Sequence, residues 1–359
     1  MDFRTILPAV LLISALTLLM PLEQAEAQAQ PESSLEGRLT RVVIPNVDFH
    51  DATFEEALQF LTLQTKEAGK EPRGVNFSIQ DPEGTLKAKP VKWLRLKNVP
   101  AREVLGYLLS ICGATARFDP YAVLIRAHTD VAVDNRTASQ KEVMAAAAKI
   151  REANLAHMII PNIAFDEVLL REGLDFITQQ SATLDKNAPP LNFVVLDQEL
   201  LMPRAARSIR LRNVPVPVAL NYFLRQCNAE ARYEANAIIV TLRNESTKDT
   251  RTETQKAVDA AAAKNREASL ARINMPIINF EETTLAEGVD FLRQRIVGIE
   301  EYPPVNFIIE DPAGALTDKK VKSLKLKNVP LTDALAYILI ECGAQVRYDE
   351  YAVVITPKS

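Results

Sequence analysis

Apolar and polar residues alternate in three closely similar stretches of the chain: LRLKNVP at 94–100, IRLRNVP at 209–215 and LKLKNVP at 324–330. In the first stretch, Leu94 and Leu96 alternate with Arg95 and Lys97, which is the period of a strand with one buried face. The final proline has no amide to donate to a sheet, but it suits the start of a helix. Each stretch therefore predicts a strand that ends at Asn-Val-Pro and leads into a helix.

The stretches belong to a longer pattern with a fixed period. Successive residues are 115 positions apart in two sets: Asn98, Asn213 and Asn328, and Cys112, Cys227 and Cys342. Self-similarity at a constant period is typical of tandem repeats. The sequence therefore predicts three copies of one unit.

Each copy shows the same predicted elements in the same order. In the first copy an opening strand (VVIPNVDF) precedes an amphipathic helix (FEEALQFL), and a short strand (VNFSIQD) precedes the LRLKNVP strand. A second helix (EVLGYLLSICGA) and a hairpin (ARFDPYAVLI) complete the copy. The predicted fold class is α+β, with three tandem repeats of a small βαββαββ module in which two helices pack on small sheets.

Residues at the helix ends support these boundaries. Thr53 with Glu56, and Thr284 with Glu287, have the spacing of a capping box. The second copy has Leu169 at the capping position and is predicted to lose the cap. The second helix of each copy is predicted to end at a residue that tolerates the left-handed conformation: Gly113, Asn228 and Gly343.

The predicted divisions of the chain are a signal peptide at 1–29, modules at 41–127, 157–243 and 272–357, and spacers at 137–156 and 252–271. Both spacers are rich in Ala, Lys, Glu and Arg and lack Gly and Pro, which favours Ala-rich helices. Two arrangements are open. Each helix is either a semi-rigid rod between modules, or it packs onto the module that follows through residues such as Ile150 and Leu155.

The first thirty residues have a different composition. Arg4 precedes an apolar run from Ile6 to Met20, and small residues follow at Ala27 and Ala29. This order is typical of a secretory signal peptide with an A-x-A cleavage site, and the run is short for a bilayer span. We expect cleavage, export to the periplasm and no membrane-spanning segment afterwards, with an uncleaved anchor as the alternative.

The charge of the chain adds little to the functional prediction. The whole chain has a net charge of −4, and 25% of its residues are charged, in near balance between acids and bases. Such a balance gives no sign of binding to polyanions, so no nucleic-acid partner is expected.

The sequence contains few candidates for catalytic or metal-binding residues. His50, His128 and His157 occupy unrelated positions and lack metal-ligand spacing. One cysteine per copy favours a buried small hydrophobic residue, with an intermolecular disulfide as the alternative. The chain has no G-x-S-x-G, Walker or G-x-G-x-x-G sequence. The prediction is therefore no catalytic residue, no metal and no cofactor.

The polar face of the repeated strand supplies the candidate partner-contact residues: Trp93, Arg95, Lys97, Arg210, Arg212, Lys325 and Lys327. We place these residues opposite the core. The single tryptophan would anchor a contact, and the cations would steer an acidic partner. The other interpretation is that lysine and arginine keep the strand soluble and prevent edge-to-edge pairing.

The third copy resembles a known family. The segment VKSLKLKNVPLTDALAYILIECGAQVRYDEYAVVI, which begins at Val321, is similar to the short N-terminal domain shared by secretins and TonB-dependent signalling receptors. The resemblance covers best the second half of each copy, at about 91–126, 206–241 and 321–356. It implies a periplasmic protein–protein interaction module without catalytic residues, which docks envelope machinery such as secretion or TonB-linked systems. Three tandem copies with helical spacers depart from the family pattern.

The sequence therefore predicts a non-catalytic periplasmic scaffold or adaptor that binds envelope proteins through exposed strand edges of tandem modules. The alternative is a protein that binds an envelope glycan or a small ligand in grooves between modules. That alternative has few rings to use, because only 6% of the residues are aromatic. A hydrolase would require a catalytic constellation that the sequence does not show.

Overall fold

The computed structural model describes residues 34–68, 74–128, 138–244, 253–297 and 305–358 of the chain. These residues form a mixed α+β protein with ten helices and fifteen strands. Within them, no helix combines the length and the apolar character needed to cross a bilayer. The predicted signal peptide lies outside the described residues.

The first segment contains, in chain order, α1 (Leu35–Arg41), β1 (Val43–Thr53), α2 (Phe54–Ala68), β2 (Phe77–Gln80), β3 (Pro90–Pro100), α3 (Ala101–Cys112), β4 (Ala114–Phe118) and β5 (Val123–Ala127). The predicted capping box at the start of α2 is confirmed. The amide of Thr53 donates to the Glu56 carboxylate at 2.7 Å, and the Glu56 amide donates to the Thr53 hydroxyl at 3.2 Å. The bonds from the Thr53 amide and hydroxyl lower the pKa of Glu56.

The second segment contains α4 (Ala138–Ala156), β6 (Ile159–Leu169), α5 (Leu170–Leu184), β7 (Phe193–Val195), α6 (Gln198–Leu201), β8 (Ala205–Pro215), α7 (Val216–Gln226), β9 (Ala229–Tyr233) and β10 (Ile238–Leu242). The predicted loss of the cap at α5 is only half right. Leu169 has no side-chain oxygen to accept a bond, but its amide still donates to the Glu172 carboxylate at 3.1 Å.

The third segment contains α8 (Glu253–Leu270), β11 (Asn274–Thr284), α9 (Leu285–Val297), β12 (Phe307–Ile309), β13 (Lys320–Pro330), α10 (Leu331–Cys342), β14 (Ala344–Tyr348) and β15 (Val353–Pro357). Helices α3 and α10 end at Gly113 and Gly343, whose φ angles are 60° and 66°. Asn228, just after α7, has a φ of 52°. The predicted left-handed residues are therefore confirmed.

A long antiparallel ribbon is the largest paired unit of each segment: β1 with β3, β6 with β8, and β11 with β13. The asparagine of each Asn-Val-Pro sequence has a positive φ, at 54° for Asn98, 53° for Asn213 and 52° for Asn328. Asparagine enters this region more readily than most residues. The repeated asparagine therefore has a conformational role in the ribbon.

The larger sheets join strands from different segments. One five-stranded sheet has the order β1–β3–β7–β10–β9, and the other has the order β6–β8–β12–β15–β14. The ribbons of the first and second segments thus continue into strands of the following segment. Two smaller sheets remain, β2–β5–β4 in the first segment and β11–β13 in the third.

The hydrophobic cores interlock across these shared sheets. Val194 and Ile239 lie in the core of the first segment, whereas Phe193 and Val195 lie in the core of the second. β7 is therefore buried on both faces. One segment later, Ile308 of β12 lies in the core of the second segment in the same way.

Both Ala-rich helices pack onto the predicted module that follows them, within the second and third segments respectively. α4 contacts α7 and β9, and α8 contacts β14 and α10. Leu155 is 5% exposed, as the packed arrangement requires, whereas Ile150 is 62% exposed. The expectation that Ile150 makes a contact was wrong, because five residues turn a helix by about 140° and so carry the two side chains to different faces.

Candidate protein-binding edges

The first and second segments meet where β3 lies beside β7. Arg95 pairs with Phe193 in antiparallel register. Next to this pair, Asn192 accepts from the Lys97 amide through Oδ1 at 2.8 Å and donates to the Lys97 carbonyl through Nδ2 at 3.1 Å. Nδ2 also donates to the Asn236 carbonyl at 2.9 Å, which holds the side chain to its own segment. Asn192 is 3% exposed, and its amide replaces a backbone partner for the edge of β3.

A second amide side chain supports the same junction. Gln198 accepts from the Lys92 amide at 2.8 Å and donates to the Trp93 carbonyl at 2.7 Å. Arg95 adds an ion pair, since its guanidinium lies 2.8 Å from the carboxylate of Asp175 on α5. A second ion pair joins Lys92 to Glu199 of α6 at 2.6 Å. The junction therefore combines backbone recognition by two amides with two charge contacts.

The junction between the second and third segments uses the same arrangement. Asn306 accepts from the Arg212 amide at 2.8 Å and donates to the Arg212 carbonyl at 3.1 Å. It also donates to the Tyr351 carbonyl at 2.9 Å, and it is 5% exposed. Two asparagines, Asn192 and Asn306, thus hold the edge of the preceding ribbon; we call each of them an edge clamp.

Charged groups add to this second junction. Gln226 of α7 donates to the Ile309 carbonyl at 2.9 Å. The buried carboxylate of Glu310 lies 3.2 Å from Arg225 and 2.9 Å from Arg243 of the second segment. Burial lowers the pKa of Arg225, and the nearby Glu310 opposes that change. A buried carboxylate of the third segment is therefore held by cations of the second.

The ribbon of the third segment has a free edge. Among the described residues, β13 pairs with β11 alone. Its Lys327 stands where the LRLKNVP and IRLRNVP stretches have the clamped residues Lys97 and Arg212. Leu324 and Leu326 are half-buried, whereas the corresponding residues of β3 are fully buried.

Apolar side chains of α10 are exposed beside this edge. Tyr337 is 49% exposed and Ile340 is 75% exposed. Tyr222, which lies 115 residues before Tyr337, is buried at the junction, and its hydroxyl donates to Asp349 at 3.2 Å. The β13 edge with Tyr337 and Ile340 is called the C-terminal face below.

The sheet of the first segment has the complementary free edge. In the order β2–β5–β4, the outer edge of β2 pairs with no strand of the described residues. Asn76 lies just before β2, where the other segments have the edge clamps. Its Nδ2 donates to the Tyr121 carbonyl at 3.3 Å, and the side chain is exposed. This edge with Asn76 and Tyr121 is called the N-terminal face below.

The structure separates the predicted contact residues into two groups. Trp93 is 2% exposed and lies in the core of the second segment, so the prediction that it faces away from the core was wrong. The face of β3 that a lone module would expose is covered by the next segment. Arg95 contacts Asp175 inside the chain, and Arg210 contacts Asp166 at 2.7 Å.

The remaining predicted residues stay exposed. They are Lys97 and Arg212 beside the internal junctions, and Lys325 and Lys327 on the free β13 edge. Lys325 lies 3.6 Å from Glu281 of the neighbouring strand, where both side chains are solvated. Of the predicted site, β13 is thus the part that is open to a partner.

The edge clamps were not predicted from the sequence. The signal was present in VNF, LNF and VNF, where an asparagine recurs between apolar residues just before a short strand: Asn76, Asn192 and Asn306. A polar residue at this place in all three segments indicates a hydrogen-bonding role. Tyr337 was missed for a different reason, since its pattern on the helix is that of a core residue.

Other chemistry is limited in the described ranges. Cys112, Cys227 and Cys342 are buried free thiols, as predicted, and no group of three or more His, Cys, Asp or Glu side chains there could hold a metal ion. A cavity of about 260 Å³ lies between α4 and the β9–β10 turn. Tyr233 is the one aromatic residue in its lining, which gives a sugar little to stack on.

Comparisons of the chain with protein-family models, with curated proteins and with solved structures found no match to any of them.

Proposed function

We propose that this chain is a non-catalytic scaffold of the cell envelope that binds protein partners through exposed strand edges. In this proposal the chain is exported to the periplasm. Its three segments are copies of one module like the N-terminal domain of secretins and TonB-dependent receptors. The Ala-rich helices connect those copies.

One observation carries the proposal: among the described residues no strand pairs with the outer edge of β13, whereas the same edge of β3 and of β8 holds a strand of the following segment. An open edge presents unpaired amides and carbonyls in the geometry that an added strand requires. The edge of β13 can therefore accept a strand from another protein, as β3 and β8 accept a strand of the following segment.

Side chains around the edge add apolar contact area. Ile340 and Tyr337 expose large apolar surfaces next to β13, and aromatic residues often anchor protein interfaces. Lys325 and Lys327 lie exposed on the same strand and would favour acidic residues at the rim of a partner. A partner of this surface would present a strand edge with apolar and acidic side chains.

Site-specific photo-crosslinking in living cells tests the proposal. Ile340 is replaced by benzoylphenylalanine, and Val258 of α8, which is 60% exposed, receives the same replacement as the control. We expect a crosslinked protein, identified by mass spectrometry, from position 340 and none from position 258. The proposal fails if the exported chain gives no product at 340 beyond that at 258.

A further inference from the structure

The N-terminal face and the C-terminal face are the two halves of a junction that the chain already forms twice internally. We propose that the C-terminal face of one chain binds the N-terminal face of a second copy, so that chains associate head to tail. This inference rests on the proposed function, because both use the edge of β13, and it names the partner.

Asn76, the residue of the N-terminal face that corresponds to the edge clamps, is preorganised. Asn192 and Asn306 each donate to a carbonyl of the hairpin turn in their own segment, and Asn76 donates to the corresponding Tyr121 carbonyl. In the two internal junctions, Oδ1 of the same asparagine accepts from a backbone amide of the preceding ribbon: Asn192 accepts from Lys97, and Asn306 accepts from Arg212. For Asn76, no described residue donates to Oδ1, which is therefore available to accept from the Lys327 amide of a second chain.

Apolar residues of the two faces also correspond to residues that pack together at an internal junction. At the second junction Val354 lies in the core cluster that contains Tyr222, and Tyr351 packs against that cluster. The residues at these positions on the free faces are Leu124, Tyr337 and Tyr121. Tyr121 is 86% exposed. Association would bury Tyr337 as Tyr222 is buried internally, and would partly bury Tyr121 as Tyr351 is partly buried.

Charged residues do not obstruct this contact. The internal ion pair between Arg225 and Glu310 is replaced on the two faces by Ile340 and Gln80. The carboxylate and this cation are thus absent together. The second cation of the internal cluster, Arg243, corresponds to Lys358, which is exposed, so contact would leave no carboxylate buried and unpaired.

The contact should be weaker than the internal junctions. Ser78 of β2 stands where the other segments have Val194 and Ile308, both of which are fully buried in the preceding core. Less apolar surface is therefore buried between chains than within one chain. Each face fits the other and not itself, so growth continues beyond a dimer unless a ring closes.

Sedimentation velocity of the purified exported chain over a range of concentrations tests the inference. We expect a concentration-dependent series of species larger than the monomer. Lys327→Pro removes the amide that the Asn76 clamp would bind, on an edge strand where proline is tolerated, and should lower the association constant at least about tenfold. Lys327→Ala is the matched control, because it keeps the amide and should leave assembly unchanged.

Two variants of the N-terminal face test the other half of the contact. Asn76→Ala should weaken assembly like Lys327→Pro, and mixing these two variants should not restore long assemblies. Ser78→Val should raise the association constant about fivefold, because it supplies the apolar side chain found at Val194.

The outcomes separate this inference from the proposed function. A chain that stays monomeric at all concentrations, while position 340 crosslinks to a different envelope protein in cells, overturns the head-to-tail contact and leaves the scaffold proposal standing. Assembly that Lys327→Pro and Asn76→Ala leave unchanged also overturns the contact. Assembly that is lost in both variants and retained in Lys327→Ala supports it.

Discussion

At the scale of single residues, three asparagines of one sequence motif have different surroundings. Asn192 and Asn306 are buried and bind the backbone of the preceding ribbon, whereas Asn76 is exposed. When a buried backbone group loses its hydrogen-bond partner, the fold is destabilised by more than the net stability that the hydrogen bond contributed, since no water replaces the partner. The three positions therefore form a natural comparison of one side chain in two environments.

The comparison gives the first prediction. Asn192→Ala removes three hydrogen bonds at 2.8–3.1 Å and should lower the free energy of unfolding by about 2–4 kcal/mol. Asn76→Ala removes one bond at 3.3 Å from an exposed side chain and should change it by less than about 0.5 kcal/mol. Urea titrations followed by circular dichroism, at concentrations where the chain is monomeric, provide the measurement. Equal effects of the two substitutions would contradict the role of the clamp.

The buried thiols give a prediction about pH. Burial raises the pKa of Cys112 and of Cys227 to about 12, above the value of about 8.5 for a free thiol. The unfolded chain therefore releases these protons first. Stability is fully present below about pH 8.5 and is lost as pH rises toward 12, by up to about 1.4 kcal/mol per pH unit for each thiol.

The measurement is the free energy of unfolding at several values between about pH 8.5 and 10.5. A Cys112→Ala/Cys227→Ala variant should show a shallower decline than the natural chain, although it starts from a lower stability because of the lost side-chain volume. Parallel pH profiles would show that the thiols do not cause the decline.

At the scale of elements, the sequence predicted most of the strands and helices, though not the short helices α1 and α6, and it did not predict the neighbours of each strand. Periodicity and cap residues depend on local chemistry, which a short window of sequence contains. The pairing of β3 with β7 is a long-range choice. The sequence does contain one sign of this pairing. LNFVVLD and VNFIIED have continuous apolar runs, which are typical of strands buried on both faces. The corresponding stretch of the first segment, VNFSIQD, is interrupted by Ser78.

The contact residues of the spacer helices illustrate the same limit. The Ala-rich composition predicted a helix but could not distinguish a free rod from a packed one, because its apolar residues do not form one clear stripe. Burial of Leu155 together with exposure of Ile150 shows which side of α4 contacts the second segment.

This difference gives a prediction for the element. Leu155→Ala should destabilise the chain by about 2–4 kcal/mol through lost burial and a cavity, and Ile150→Ala on the same helix should cost less than about 0.5 kcal/mol. Chemical denaturation of both variants is the check. Similar small effects would mean that α4 does not pack on the second segment in solution.

At the scale of the whole molecule, the interlocking cores couple the segments. Val194 and Ile239 fill the core of the first segment, and Trp93 lies in the core of the second. Neither segment can lose its structure without exposing apolar surface of its neighbour. In repeat proteins, a favourable interface energy between neighbouring units makes those units unfold together. The shared cores would have this effect here.

The chain should therefore unfold in one cooperative step. Trp93 is the only tryptophan, so intrinsic fluorescence reports the junction of the first two segments, whereas far-UV circular dichroism reports all three. We expect the two probes to give the same midpoint in urea, as two-state unfolding requires. Asn192→Ala weakens the reported junction and should shift both curves together if coupling through the second segment is strong. A fluorescence transition that precedes the loss of circular dichroism would show instead that the first segment separates while the other two stay folded.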